Sequence, residues 1–148
     1  MTVTEALKNV TSLFLDTAPV IYYVEQNPAY RQRVNSIFDR IDEGNFTAVA
    51  SSITLAETLV IPCRQGQIQL QQDFYDLLVL GLHSAFVSPG PREAQQAADI
   101  RARYNLSLTD AFQIACALST GCSALLTNDH QFRQVTELQV IVLDDLDE

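Results

Sequence analysis

The chain has 148 residues, 47% of them hydrophobic, with 5 glycines and 5 prolines. That fits one domain able to bury a core and excludes a low-complexity or repeat sequence. The formal net charge of −9 excludes a protein that wraps nucleic acid through a broad basic surface, because such binding rests on phosphate neutralisation.

Taken in chain order, Thr4, Glu5, Lys8 and Asn9 interrupt the N-terminus, so no signal peptide is expected there. No apolar run approaches the ~20 residues of a membrane span. Ser12-Leu-Phe-Leu15 is a short apolar run stopping at Asp16, which predicts a buried strand. Ala18 to Glu25 follows as a short helix with Pro19 in its first turn. A second helix runs from about Ala29 to Glu43, its apolar stripe made by Val34, Ile37, Phe38 and Ile41, and Gly44-Asn45 ends it. Phe46 to Ser51 is the next strand, and a helix follows from about Leu55 to Cys63 until Gly66 breaks the pattern.

A long helix is then expected from about Gln67 to His83, with Leu70, Phe74, Leu77 and Leu78 on one face. Ala85-Phe-Val87 is a strand closed by the turn Ser88-Pro-Gly-Pro91, and Arg92 to Tyr104 is helical. Ser107-Leu-Thr-Asp110 opens a helix reaching about Thr120, apolar nearly all round and therefore largely buried. Ala124-Leu-Leu126 and Val140-Ile-Val-Leu143 are the last strands. Strands alternating with helices predict a parallel sheet covered on both faces. The whole chain is expected to be one domain, closed by a short, solvated acidic tail from about residue 144 that holds Asp144, Asp145, Asp147 and Glu148.

Cys63, Cys116 and Cys122 make an odd count without a CxxC pair, and His83 and His130 are the only histidines. A Cys/His zinc site is not expected, and a reducing, cytoplasmic setting is the simplest reading.

Ligands of open α/β sheets bind outside the carboxyl ends of the strands. Asp16 directly follows the first strand, and Asp129 comes three residues after Leu126. Glu57 and Asp110 are expected in the first turns of their helices. A parallel sheet delivers all four to one edge. Each acid alone has a structural explanation: Thr54-Leu-Ala-Glu57 and Ser107-Leu-Thr-Asp110 both match capping boxes, Asp16 can form a turn, and Asp129 can be a solvated loop residue. Together they would repel one another in a partly buried place unless a cation joined them. Oxygen donors without His or Cys suit Mg²⁺ or Mn²⁺. Two such ions ~3.5–4 Å apart can activate a water and stabilise the leaving oxygen of a phosphodiester.

Leu15-Asp-Thr17, Ser52-Ile-Thr-Leu-Ala-Glu57, Leu108-Thr-Asp-Ala-Phe-Gln-Ile-Ala115 and Leu125-Leu-Thr-Asn-Asp-His-Gln-Phe132 in that order resemble the PIN domain, especially VapC-like toxins. The resemblance runs from about Leu13 to Leu143. It implies a three-layer α/β/α sandwich around a parallel sheet, and a Mg²⁺- or Mn²⁺-dependent endoribonuclease. Asp16, Glu57, Asp110 and Asp129 match the family's metal-binding acids. Thr127 matches its hydroxyl residue beside the site, with Thr17 and Asn128 flanking. It further implies an RNA substrate, a homodimer and a cognate antitoxin protein. Val79 and Leu80, apolar positions off the main stripe of the long helix, agree with a dimer.

The chain departs from a basic nuclease in having a single lysine, Lys8, so that substrate grip would fall to arginines such as Arg64, Arg101, Arg103 and Arg133. Tyr22 and Tyr23 are candidates for stacking on a base or, alternatively, for packing the first helix. His130 reads as an exposed loop residue. A dehalogenase-like phosphatase fails because Ala18 stands where a second aspartate is needed. That fold and a phospho-receiver both need a downstream lysine, which is missing. No Gly-x-Gly-x-x-Gly follows the first strand, so a dinucleotide fold fails too. Two alternatives share the fold: a housekeeping RNA-processing nuclease, and a catalytically silent interaction module.

Overall fold

The computed structural model describes residues 1–81 and 83–147. Strands β1 (Ser12–Leu15), β2 (Thr47–Ser51), β3 (Ser84–Val87), β4 (Ala124–Thr127) and β5 (Gln139–Val142) form one sheet in the order β3-β2-β1-β4-β5. Every neighbouring pair is parallel. The helices are α1 (Val3–Ala6), α2 (Thr17–Val24), α3 (Arg31–Asp42), α4 (Ser52–Arg64), α5 (Ile68–Val79), α6 (Pro91–Arg103) and α7 (Leu108–Ser119).

The alternation of side chains along each strand sorts the sheet into two faces. Leu13, Leu15, Ala48, Ala50, Ala124, Leu126 and Ile141 join one core with residues of α1, α2, α3 and α5. Phe14, Val49 and Leu125 join the other with α6 and α7. The result is the expected α/β/α sandwich. β1 is its central strand, with Leu13 and Phe14 fully buried between the two helical layers.

The periodic helices form where their apolar spacing places them. In α3, Val34, Ile37, Phe38 and Ile41 are buried. In α7, Ala111, Ile114, Ala115, Cys116 and Ala117 are buried, as an all-round apolar helix must be. Gly44 and Gly121 follow α3 and α7 with φ of +79° and +72°, a left-handed conformation that terminates helices and favours glycine.

Several local boundaries differ from the sequence reading, three of them by enough to matter. A short α1, capped by a box between Thr2 and Glu5, forms where no element was expected. Helix α4 begins at Ser52, earlier than Leu55, because Ser51 caps it by accepting the amides of Ile53 and Thr54. The Thr54–Glu57 capping box therefore does not form, and Glu57 sits in the second turn rather than the first. Helix α5 ends at Val79, short of His83. The span expected to carry it onward includes Leu82, which lies outside the described residues.

The acidic end is tied down as far as it is described. Asp144 accepts the hydroxyl of Tyr30 at 2.8 Å and pairs with His130 Nε2 at 2.8 Å. Asp145 pairs with Arg133, and Asp147 lies 3.1 Å from the N-terminal amine. Glu148 lies outside the described residues.

Candidate functional site

In the strand order β3-β2-β1-β4-β5, the chain first builds outward from β1 to β3 and then returns to the other side through β4. The reversal falls between β1 and β4, where the flanking connections part and leave a crevice at the strands' carboxyl ends. A cleft of about 540 Å³ opens there. Asp16, Glu57, Asp110 and Asp129 all line it, with Thr17, Asn128 and His130 among them and Ala18 and Ile21 on its apolar side. No lysine or arginine is among the lining residues.

Asp16 directly follows β1 and is the N-cap residue of α2. Its amide continues the β1–β4 ladder by donating to Leu126 O at 2.9 Å, which fixes its backbone to the sheet. The residue is only 7% exposed. Thr127 Oγ1 donates to its Oδ2 at 2.7 Å, and Gln113 Nε2 approaches its Oδ1 at 3.4 Å. Burial raises its pKa above the ordinary value, and the Thr127 hydroxyl pulls in the opposite direction.

Glu57 reaches the cleft from the second turn of α4. Its Oε1 accepts the Thr17 hydroxyl at 2.7 Å, tying α4 to the start of α2. Asp110 lies in the first turn of α7, and its amide donates to the Ser107 hydroxyl at 3.1 Å. That half of the capping box fixes the backbone, while the carboxyl group lines the cleft. Its pKa is raised to about 6, mainly by desolvation, with Asp16, Asp129 and Glu57 adding repulsion. Asp129 caps the 3₁₀ turn His130–Gln134 by accepting the Gln131 amide at 2.9 Å, and its own amide donates to Thr127 Oγ1 at 3.0 Å. Thr127 thus links Asp16 to Asp129. Asn128 is held from behind, its Oδ1 accepting the Asp144 amide at 3.0 Å.

Beneath the acids lies a buried polar chain that the sequence reading did not single out. Gln113 is fully buried. Its Nε2 donates to Thr54 Oγ1 at 2.6 Å, and its Oε1 accepts the hydroxyl of Ser51 at 2.5 Å. Thr54 in turn donates to Leu15 O at 3.2 Å. One signal was available: Gln113 is a lone amide in an apolar helix, three residues after Asp110, and a buried amide must find partners. Its partners Ser51 and Thr54 come from another element and had no sequence signal.

Other candidates stand away from the acids or are already engaged. Tyr22 stacks on Tyr30 with centroids 4.2 Å apart, and Tyr23 on Phe38 at 3.9 Å. Both rings pack within the protein. His130 does line the cleft, but it sits between Asp144 and Arg133 NH1, the latter 2.9 Å from its Nδ1. Arg103 pairs with Asp99 and Glu137. Arg64 and Arg101 are exposed and outside the cleft lining.

The donor chemistry fits a hard divalent cation. Four carboxylates share a partly desolvated cleft without a compensating positive side chain. Among the described residues, no group of three or more His, Cys, Asp or Glu side chains closes tightly enough to hold an ion. The donors are gathered around the cleft rather than converged on a point. Glu57 and Asp129 are meanwhile engaged with Thr17 and with the Gln131 amide.

Two outcomes follow from this geometry. Gln113→Leu removes the partner of two buried hydroxyls and is expected to cost about 1–3 kcal/mol in urea unfolding; an unchanged midpoint would show that the chain of hydrogen bonds is dispensable. The metal-free protein should also gain stability as pH falls from 7 towards 5. Asp110 has a folded-state pKa of about 6 against 3.8 for an ordinary aspartate, so its ionisation costs the folded state and its protonation relieves that cost. Asp144, held low first by His130 and then by Tyr30, acts in the opposite sense only below the ordinary carboxylate range. Melting in EDTA at pH 7 and pH 5 checks the sign, and Asp110→Asn should flatten the difference.

The structure is similar to FitAB bound to an IR36 DNA fragment, at TM-score 0.71 and 16% identity, covering 92% of this chain and 98% of that one. It is similar to VapBC2 from Rickettsia felis bound to a promoter DNA fragment, at TM-score 0.69 and 17% identity, covering 89% and 98%. It is also similar to VapC20 from Mycobacterium tuberculosis, described as a sarcin-ricin loop cleaving toxin, at TM-score 0.62 and 14% identity, covering 76% and 86%. At these identities the likeness is one of fold. Comparison with curated proteins returns no match. The profile of the PIN domain, however, matches residues 13–138, a span holding β1 from Leu13 onward, β2, β3 and β4 and ending just before β5, and the chain belongs to the PIN-domain family.

Proposed function

We propose that this protein is a Mg²⁺- or Mn²⁺-dependent endoribonuclease, the toxin of a toxin–antitoxin pair. The observation that carries the reading is the set of four acids, Asp16, Glu57, Asp110 and Asp129, lining one cleft at the switch point of the sheet with no cation beside them. A divalent ion bound there supplies a polarised water and offsets the charge of a phosphodiester.

The chain's own groups do the positioning. Asp16, Glu57, Asp110 and Asp129 would hold the ion or ions. Thr127 and Gln113 orient the Asp16 carboxylate, and Thr127 also fixes the backbone of Asp129. Thr17 orients Glu57, and Asn128, gripped by the Asp144 amide, steadies the loop between Thr127 and Asp129. No side-chain nucleophile is needed in this scheme.

The toxin assignment draws on the folds that resemble this one, which include VapBC and FitAB assemblies and a toxin from Klebsiella pneumoniae in complex with its antitoxin. The partner would then be an antitoxin protein, and the substrate RNA. A silent interaction module is disfavoured by the complete set of acids. A cytoplasmic setting agrees with the free thiols of Cys63, Cys116 and Cys122. No described helix is long and apolar enough to cross a membrane.

We expect Asp16→Asn or Asp110→Asn to reduce Mn²⁺-dependent cleavage of single-stranded RNA to the EDTA background while the circular dichroism spectrum stays native. Cleavage that survives in both variants would point to a contaminating nuclease and sink the assignment. Millimolar Mn²⁺ or Mg²⁺ should raise the melting temperature of the wild type through linkage, because only the folded state gathers the four acids. The Asp16→Asn and Asp110→Asn variants should show a smaller rise.

A homodimer is part of the same proposal. Ile68 at one end of α5 and Leu80 just past the other are 73% and 67% exposed, and Val60 and Ile61 on α4 are also exposed. Sedimentation at micromolar concentration should show twice the monomer mass of 16.5 kDa; a monomer throughout would remove this part.

A further inference from the structure

The last strand leads into a segment that is tied to the acid cleft. The 3₁₀ turn Leu143–Asp145 follows β5 and lies beyond residue 138, where the match to the PIN domain ends. Leu143 and Leu146 are buried in the core, and Arg33 of α3 donates to Leu143 O at 3.0 Å. Asp144 and Asp145 stand exposed between these two anchors.

Both acids bind the turn His130–Gln134. Asp145 pairs with Arg133, and Asp144 with His130. Arg133 NH1 also lies 2.9 Å from His130 Nδ1. An arginine can only donate, so Nδ1 of the neutral ring is the acceptor and Nε2 carries the proton. That N–H donates to Asp144 Oδ2 at 2.8 Å. Asp144 Oδ1 accepts the hydroxyl of Tyr30 at 2.8 Å, and the Tyr30 ring is held between Tyr22 and the Arg33 guanidinium. The Asp144 amide donates to Asn128 Oδ1 at 3.0 Å.

These bonds land on both neighbours of Asp129. Asn128, Asp129 and His130 line the acid cleft in succession, and Asp144 does not line it. Asp129 is exposed, whereas Asp16 is buried and Asp110 half-buried. Its own bonds, to Thr127 Oγ1 and from the Gln131 amide, reach only two residues along the chain. Such short-range bonds shape the turn. The bonds from Asp144, which span 16 residues to Asn128 and 14 to His130, tie the turn to a separately anchored segment.

We propose that Asp144 is a positioning residue of the acid cleft, holding Asn128 and His130 so that the Asp129 carboxylate between them stays turned towards the other three acids. This rests on the reading of that cleft as a metal-dependent ribonuclease site. The acidic end of the chain is then part of the site's support rather than a solvated tail.

The test follows Mn²⁺ dependence in two ways, through the melting temperature and through the rate of cleavage of a single-stranded RNA. Asp144 is exposed, so its replacement should leave the fold intact; circular dichroism and urea unfolding in EDTA check this. Asp144→Ala should raise the half-saturating Mn²⁺ concentration about 10-fold in both readouts, the lower end of what partners behind metal ligands cost. Asp144→Asn should stay close to the wild type. It keeps the amide bond to Asn128, its Oδ1 can accept from His130, and its Nδ2 can donate to the Tyr30 oxygen. Asp147→Ala removes the same charge from the same segment, but Asp147 meets the N-terminal amine instead, and both curves should be unchanged. If Asp144→Ala does not fold, Tyr30→Phe deletes one bond to the same carboxylate and should give a smaller rise.

Wild-type Mn²⁺ dependence in Asp144→Ala, or in Tyr30→Phe where it takes that place, would overturn the proposal even with a lowered urea midpoint, because Asp144 would then only secure the chain end. An Asp144→Asn variant as damaged as Asp144→Ala would overturn it too, by making the charge rather than the hydrogen bonds the active feature. An Asp147→Ala variant that behaves like Asp144→Ala would do the same. If Asp144→Ala shifts the melting curve while the wild type cleaves no RNA, the ribonuclease reading fails and the positioning role stands. If the wild-type melting temperature does not respond to Mn²⁺, both fail.

Discussion

The gathering of four carboxylates at one partly desolvated cleft is the constraint on which the organisation of the site turns. Asp16, Glu57, Asp110 and Asp129 line one cleft without a positive side chain to offset them. The protein meets part of the cost with oriented dipoles. Asp16 stands at the N-cap position of α2, Asp110 lies in the first turn of α7, and Asp129 caps a 3₁₀ turn. Exposed amides at helix starts favour negative charge. The rest of the cost is visible at Asp110, whose carboxyl holds its proton up to about pH 6, chiefly because it is desolvated. A cleft in that state is suited to receive a cation and poorly suited to remain without one.

Rigidity beneath the acids comes from a second layer of polar groups. Asp16, the most buried of the four, touches Thr127 from β4 and Gln113 from α7. Gln113 then reaches Ser51 and Thr54 at the start of α4. One chain of hydrogen bonds therefore spans β1, β4, α4 and α7, the elements that carry the acids. Buried polar groups of this kind are costly when unpaired and restrictive when satisfied. Their value is in fixing where the carboxylates stand.

Much of this was legible in the sequence, and the reasons differ between residues. Asp16 could be placed because Ser12–Leu15 is an apolar run too short for a helix, so its end marks a strand terminus. Asp110 could be placed because Ser107 is a capping residue before an apolar helix, and the structure keeps that cap. Glu57 was misplaced by one turn. The Thr54–Glu57 spacing imitates a capping box, but Ser51 is nearer the strand end and caps the helix first. Gln113 was overlooked because its significance depends on partners 62 and 59 residues away in the chain.

The sequence by itself determined that strands and helices alternate and that each acid lies just beyond a strand or near the start of a helix. Those are consequences of local periodicity and capping chemistry, which act over a few residues. Only the tertiary structure decided that β1 lies between β2 and β4, so that the order reverses beside Asp16 and a crevice opens there. Only it decided that Gln113 would join Asp16 to Thr54. The physical reason is common to these cases. Strand order and buried hydrogen bonds are settled by the packing of elements far apart in the chain, and no local pattern encodes which of them will meet.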